Sequence, residues 1–237
     1  MEKALFLLAF FFAYTVQAIT GFAGNVFAMP VGTNLLGLSS SVAILNAMGF
    51  GACGLLGVMN IKSVNWHELG KIVLTMLPFV VLGIWIDSVL PLDMLLRIYG
   101  VVIILVGLKN LISKRQTFLP EWALWVIIAL AGLVQGMFVS GGALLVIYAV
   151  QKLKDRTEFR ATLSMVWTIL NFVYAVYSLT QGYYTTDVVL IVVACIPLAV
   201  IATLLGNKLQ AKISQDKFLK FVYVLLVGIG VVLIVTA

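Results

Sequence analysis

The chain has 237 residues, 63% of them hydrophobic and only 10% charged, with a mean hydropathy of +1.15. Soluble domains carry about 25% charged residues, so these values exclude a soluble core and indicate a polytopic membrane protein. The net charge of +6 does not point to nucleic acid, because the basic residues lie in short loops between apolar runs, where they set orientation in the lipid bilayer.

Taken in order, Lys3 and the apolar run Ala4 to Ala13 have the look of a signal peptide. No small-residue cleavage site follows, so the segment is read as part of the mature fold. Residues 4–38 are too long for one span and are interrupted at Thr20 to Asn25, within Gln17-Ala18-Ile19-Thr20-Gly21-Phe22-Ala23-Gly24-Asn25. Spans of membrane-crossing length follow at 39–60, 72–90 and 94–112. A polar loop, Ser113 to Glu121, divides the chain. Residues 122–151 form a second interrupted stretch, broken at Ser140-Gly141-Gly142, and spans at 161–180, 187–206 and 218–236 complete the chain.

The order of segments repeats. At an offset of 118, Val16-Gln17 matches Val134-Gln135, Gly24 matches Gly142 and Ala43 matches Ala161; at 123, Gly83 matches Gly206, Asp93 matches Asp216 and Leu96-Arg97 matches Leu219-Lys220. The chain thus divides into a first repeat, 1–112, a cytoplasmic linker, 113–121, and a second repeat, 122–237. With loops 61–71, 109–121, 152–160 and 206–220 in the cytoplasm, 13 of the 15 basic residues are inside and only Lys3 and Arg97 outside. Each half has three spans after a broken stretch that enters and leaves on one side. An odd number of crossings inverts the second half relative to the first and puts both termini outside. The expected fold is all-α: two inverted repeats, each a broken or re-entrant helical hairpin followed by three transmembrane helices.

Matched helix breaks in two halves mark a transporter's binding site, because backbone that leaves the helix at membrane depth must be buried in protein or line a cavity. Two inward-pointing helix N-termini, expected to approach the middle of the membrane from opposite sides, offer unpaired N–H groups and partial positive charge to a small anion. The candidate substrate-binding residues at the breaks are Gln17, Gly21, Gly24, Asn25, Gln135, Ser140, Gly141 and Gly142. Ser164, Trp167, Asn171 and Tyr174 share one face of the 161–180 span, with Asn46 equivalent to Ser164; Trp167, Asn171 and Asn46 join the site. The competing reading makes the glycines tight packing positions and the polar side chains interhelical glue.

No ionisable residue falls at the centre of a span, which argues against an intramembrane carboxylate relay. Asp87, Arg97 and Asp187 fall near span ends, and His67 is an ordinary loop residue. Cys53 and Cys195 read as packing residues. With one His and no nucleophile or metal spacing, the sequence predicts no catalytic residue, no metal and no cofactor.

The motifs Gly21-Phe22-Ala23-Gly24-Asn25-Val26-Phe27-Ala28-Met29-Pro30, Leu35-Leu36-Gly37-Leu38-Ser39-Ser40-Ser41-Val42-Ala43 and Gln135-Gly136-Met137-Phe138-Val139-Ser140-Gly141-Gly142 resemble those of the sulfite exporter TauE/SafE family, also called the toluene-sulfonate uptake permease family. The resemblance covers nearly the whole chain, with Tyr148 standing where the family usually has Pro. It implies a bacterial or archaeal cytoplasmic-membrane carrier, working by alternating access, for small sulfur-containing anions such as sulfite or organosulfonates. The alternatives are a passive small-anion channel of the same fold and a membrane-embedded enzyme of sulfur metabolism. Assembly as a homo-oligomer stays compatible with the sequence.

Overall fold

A computed structural model describes residues 2–86, 119–139, 141–153 and 155–236, with 97, 100–101, 104–105, 107–109 and 111–112 on helical turns. Much of the span expected at 94–112, most of the 113–121 linker, Lys154, Asp87, Asp93 and Ser140 lie outside the described residues. The elements are α1 (Glu2–Thr20), α2 (Gly24–Leu36), α3 (Leu38–Met59), a 3-10 turn (Ile61–Ser63), α4 (Trp66–Ile86), α5 (Glu121–Phe138), α6 (Gly142–Lys152), α7 (Arg156–Thr180), α8 (Thr186–Ala211) and α9 (Gln215–Thr236). There is no strand among the described residues. Among the described residues, five helices are long and apolar enough to cross a membrane: Glu2–Thr20, Ser39–Met59, Trp66–Ile86, Arg156–Thr180 and Thr186–Ala211.

Several helices begin before the apolar runs that signal them, because polar residues cap or line their first turns. Asn65 Oδ1 accepts the Glu68 amide at 3.0 Å, so α4 starts at Trp66 and takes His67 and Lys71 out of the expected loop. The α7 helix starts at Arg156, which moves Arg156 and Arg160 out of the loop expected at 152–160. These two helix starts are tied together: Asn65 donates to Glu158 Oε1 at 2.7 Å through its side chain and to Thr162 Oγ1 at 2.9 Å through its amide.

The chain forms two compact units, residues 1–73 with 157–212, and residues 74–156 with 213–237. In the first, α1 and α2 form an antiparallel hairpin, with Tyr14 bonded to Asn25 and Gln17 to Gly24, while a side chain at Gly32 would touch Phe6. A side chain at Gly49, Gly54 or Gly57 would meet Asn171, Thr168 or Met165 respectively; the falling numbers show that α3 and α7 run antiparallel. The α8 helix runs parallel to α1, from the Lys3–Asp187 ion pair at one end to Gly206 against Thr15 and Ala18 near the other.

The second unit repeats these relations with different helices. The α5–α6 hairpin closes through the Lys152–Glu121 ion pair and through the Leu119 amide on Gln151 Oε1 at 2.8 Å. Gly83 of α4 presses on Leu133 and Gly136 of α5, and Gly132 presses on Met76 and Phe79, again in parallel. Gly100 meets Gly230 and Ile234 while Gly107 meets Tyr223 and Val227, an antiparallel pair. At the offset of 118, Thr15 and Ala18 correspond to Leu133 and Gly136, and at 123 Gly83 corresponds to Gly206. The offsets read from the sequence therefore link two equivalent contacts, one in each unit.

Candidate functional site

At the first break the chain turns through Gly21, whose φ of +85° is a left-handed conformation that glycine adopts without steric cost. A Cβ there would also lie 3.1 Å from the Cα and carbonyl oxygen of Arg160. The new helix is capped from the old one: Gln17 Oε1 accepts the Gly24 amide at 2.5 Å, and Gln17 Nε2 donates to Cys53 Sγ at 2.8 Å. A Cβ on Gly24 would meet Gln17 Oε1 at 2.7 Å and its Cβ at 2.8 Å, so this cap forms only with glycine at 24. Tyr14 Oη donates to Asn25 Oδ1 at 2.9 Å and lies 3.2 Å from the Leu45 carbonyl.

The second break, described within its own unit, has the same parts. Val139, which corresponds to Gly21 at the offset of 118, has φ +54° and is the one positive-φ residue other than glycine among those described. A β-branched residue there is strained, and strain of this kind clusters at functional sites. Gln135 Oε1 accepts the Gly141 amide at 3.1 Å, so each break has a glutamine of the outgoing helix holding an amide at the start of the returning one. Gly141 packs on the Ala131 carbonyl, where a Cβ would come within 2.2 Å. Gly142 opens α6, whose residues Gly142 to Ala149 are all buried.

The capping role of the glutamines corrects the expectation that they face the substrate. Both stand two turns upstream of the breaks in sequence, but their carbonyl oxygens are already engaged by backbone. The depth of the first break also differs from expectation. Gly21 lies beside Arg160, close to the ends of α3 and α8 that carry Met59 and Asn207, rather than halfway along them. The reason is length: α1 has 19 residues, about 28 Å at 1.5 Å per residue, enough to cross the hydrocarbon before the chain turns.

Of the other expected residues, Asn171 is brought to the first break: the place a Gly49 Cβ would take is 2.5 Å from Asn171 Nδ2 and 3.3 Å from Asn25 Nδ2. Trp167 is buried on the same face of α7. Asn46 is buried on α3, its Nδ2 donating to the Val42 carbonyl at 2.9 Å while its Oδ1 has no partner. With α3 and α7 antiparallel, Asn46 and Ser164 stand at different levels despite their equivalent places in the repeat. Among the described residues no group of His, Cys, Asp and Glu could hold a metal ion.

These glycines give a direct check of the break geometry. Gly21→Ala puts a Cβ into a left-handed backbone against Arg160 and should lower stability by about 1–3 kcal/mol. Gly51→Ala, in α3 with open space around it, should leave stability unchanged or raise it by up to about 1 kcal/mol. Thermal unfolding of both variants in one detergent reads the contrast; equal midpoints would remove the left-handed turn at Gly21.

The model of the sulfite exporter TauE/SafE family matches residues 6–233. A probable sulfite/organosulfonate exporter TauE of Cupriavidus necator is 28% identical over 232 residues, 93% of this chain and 89% of that protein. A probable inner membrane transporter protein TsaS of Comamonas testosteroni is 25% identical over 180 residues, 73% of this chain and 74% of that protein. No solved structure gives a significant match.

Proposed function

The chain belongs to the sulfite exporter TauE/SafE family, and we propose that this membrane transporter carries a small sulfur-containing anion, such as sulfite or an organosulfonate, by alternating access. One observation carries the mechanism: two helix breaks of matched construction, each with a left-handed residue (Gly21, Val139) and a glutamine-capped helix start (Gln17 with Gly24, Gln135 with Gly141). The amides that follow each cap have no carbonyl one turn behind them, so each helix start offers donors and partial positive charge. In this reading Gly21, Gly24, Asn25, Gly141, Gly142 and Ser140 form the two anion-holding tips. Gln17 and Gln135 set their shape, and Asn46, Trp167 and Asn171 line the approach. The antiparallel α3–α7 pair and the matched contacts of Gly83 and Gly206 support inverted repeats, and the clustering of basic residues on one side supports both termini on the outer face of the cytoplasmic membrane. The name of the Cupriavidus necator relative, a probable sulfite/organosulfonate exporter, supports the substrate class, and that of the Comamonas testosteroni relative supports membrane transport.

The test is counterflow in proteoliposomes preloaded with unlabelled sulfite and given a trace of labelled sulfite outside. Transient accumulation of label, suppressed by methanesulfonate, is the expected result. Sulfite flux that does not saturate and shows no counterflow would make the protein a channel. No sulfite flux at all would remove sulfite from the reading.

A further inference from the structure

We infer that Arg160, Ser164 and Trp167 form an anion seat at the first break, a column of buried hydrogen-bond donors that gives the site a fixed positive charge. The inference rests on the transport reading above and deepens it, since that reading has only helix ends and neutral groups holding the anion.

Arg160 was expected in a cytoplasmic loop. It lies instead on the second turn of α7 and is 2% exposed. Its guanidinium donates to Asn207 Oδ1, yet its Nε–H has no partner. Among the described residues no carboxylate pairs with it. A buried cation without a counter-charge is costly, so a buried arginine with an open donor points to a ligand that supplies the missing charge. Three further buried groups on α7 have no partner: Ser164 Oγ and Trp167 Nε1, on residues that are 0% and 4% exposed, and Ser178 Oγ, which lies at the far end of the helix from Arg160.

The spacing puts Arg160, Ser164 and Trp167 together. Positions 160, 164, 167 and 171 follow one another by four, three and four residues and so share one face of the helix. That face is bracketed by the break itself: Gly21 lies against Arg160, while Asn25 and Asn171 meet around Gly49. Chain residues 21–25 therefore run alongside the segment of α7 that carries Ser164 and Trp167.

The chemistry of the column selects its ligand. Arginine Nε–H and indole N–H can only donate, serine can donate, and the open amides of the α2 start donate as well. A buried donor left unmade costs roughly 1–3 kcal/mol, so the seat is completed by a ligand rich in lone pairs and negative in charge. An oxyanion with three oxygens on one centre, as in sulfite or a sulfonate, supplies acceptors to several of these donors at once. A cation or a neutral hydrogen-bond donor has nothing to offer them.

The test is thermal unfolding of the purified carrier in detergent, titrated with sulfite, methanesulfonate and, as a cationic control, choline. Wild type should be stabilised by the two anions and not by choline. In Arg160→Gln the apparent dissociation constant for sulfite should rise on the order of tenfold or more, and in Trp167→Phe and Ser164→Ala by roughly three- to tenfold. Arg160→Lys, which keeps the charge and loses the fork, should fall between. A purely structural Arg160 would lower the unliganded midpoint and leave the anion affinity intact, which overturns the seat. If Arg160→Gln does not fold, the Trp167 and Ser164 variants decide, and wild-type affinity in both overturns it. Absence of any anion stabilisation in wild type also overturns it. Counterflow separates the two levels. Sulfite binding without counterflow keeps the seat and ends the carrier reading, whereas counterflow with unchanged half-saturation in all variants does the reverse.

Discussion

Gly24→Leu should abolish sulfite counterflow while the protein remains in the membrane. The Cβ alone would stand 2.7 Å from Gln17 Oε1 and 2.8 Å from Gln17 Cβ. The Gln17 side chain must therefore leave, and with it go both the cap on the Gly24 amide and the bond to Cys53. Losing a helix cap costs about 0.5–2 kcal/mol, and overpacking adds about 1–3 kcal/mol. A multi-span protein can absorb that sum, but the tip of α2 cannot keep its position. A displacement near 1 Å in a positioned site is enough for losses on the order of 100-fold. Gln17→Ala removes the same cap without the steric demand and should give a milder defect. Counterflow, together with quantification of the protein in the membrane, checks both variants. Wild-type transport by Gly24→Leu would separate the first break from the transport path.

Gly136→Leu should leave no folded carrier at all. Here the collision is with backbone on the facing helix: the Cβ would lie 2.1 Å from the Val80 carbonyl oxygen and 3.0 Å from the Ile84 amide nitrogen. No rotamer relieves such a contact, so α4 and α5 would have to separate and give up the close approach that Gly83, Gly132 and Gly136 allow together. Gly228→Leu, with open space around it, is the matched control. Size-exclusion chromatography in detergent should show aggregate for the first variant and a single symmetric peak for the second. A symmetric peak for both would mean that the α4–α5 contact is dispensable.

The parts of this structure that were legible in the sequence are those written in residue type and order. Glycines in an apolar run announced the turns at Gly21 and Gly141, and the hydropathy pattern announced the long helices. The offsets of 118 and 123 came from a handful of identities, yet they connect Thr15, Ala18 and Gly206 with Leu133, Gly136 and Gly83. Pairings between distant segments were not legible. Gln17 and Gln135 stood out as polar residues in apolar surroundings, but nothing in their spacing says that a backbone amide six or seven residues on takes the carbonyl oxygen. Arg160 was hidden by its neighbours: at the end of the run Lys152-Leu153-Lys154-Asp155-Arg156-Thr157-Glu158-Phe159-Arg160 it reads as one more loop charge. The overlooked signal was the acidic start of α7, with Asp155 just before it and Glu158 in its first turn, which marks a helix N-terminus.

The composition of the first unit has a consequence for how the protein is made. Its first helix lies along a helix that the ribosome delivers far later, with Lys3 and Asp187 separated by 184 positions. Until α7 emerges, α3 has no partner helix from the second half beside it, and until α8 follows, the groove formed by Thr15 and Ala18 has no Gly206 to fill it. The early segments must wait in the bilayer as separately inserted hairpins, and the long-range pairing that completes them comes near the end of synthesis. A chain that stalls after its first half is then an unfinished object rather than half a transporter, and membrane quality control has that whole interval in which to find it.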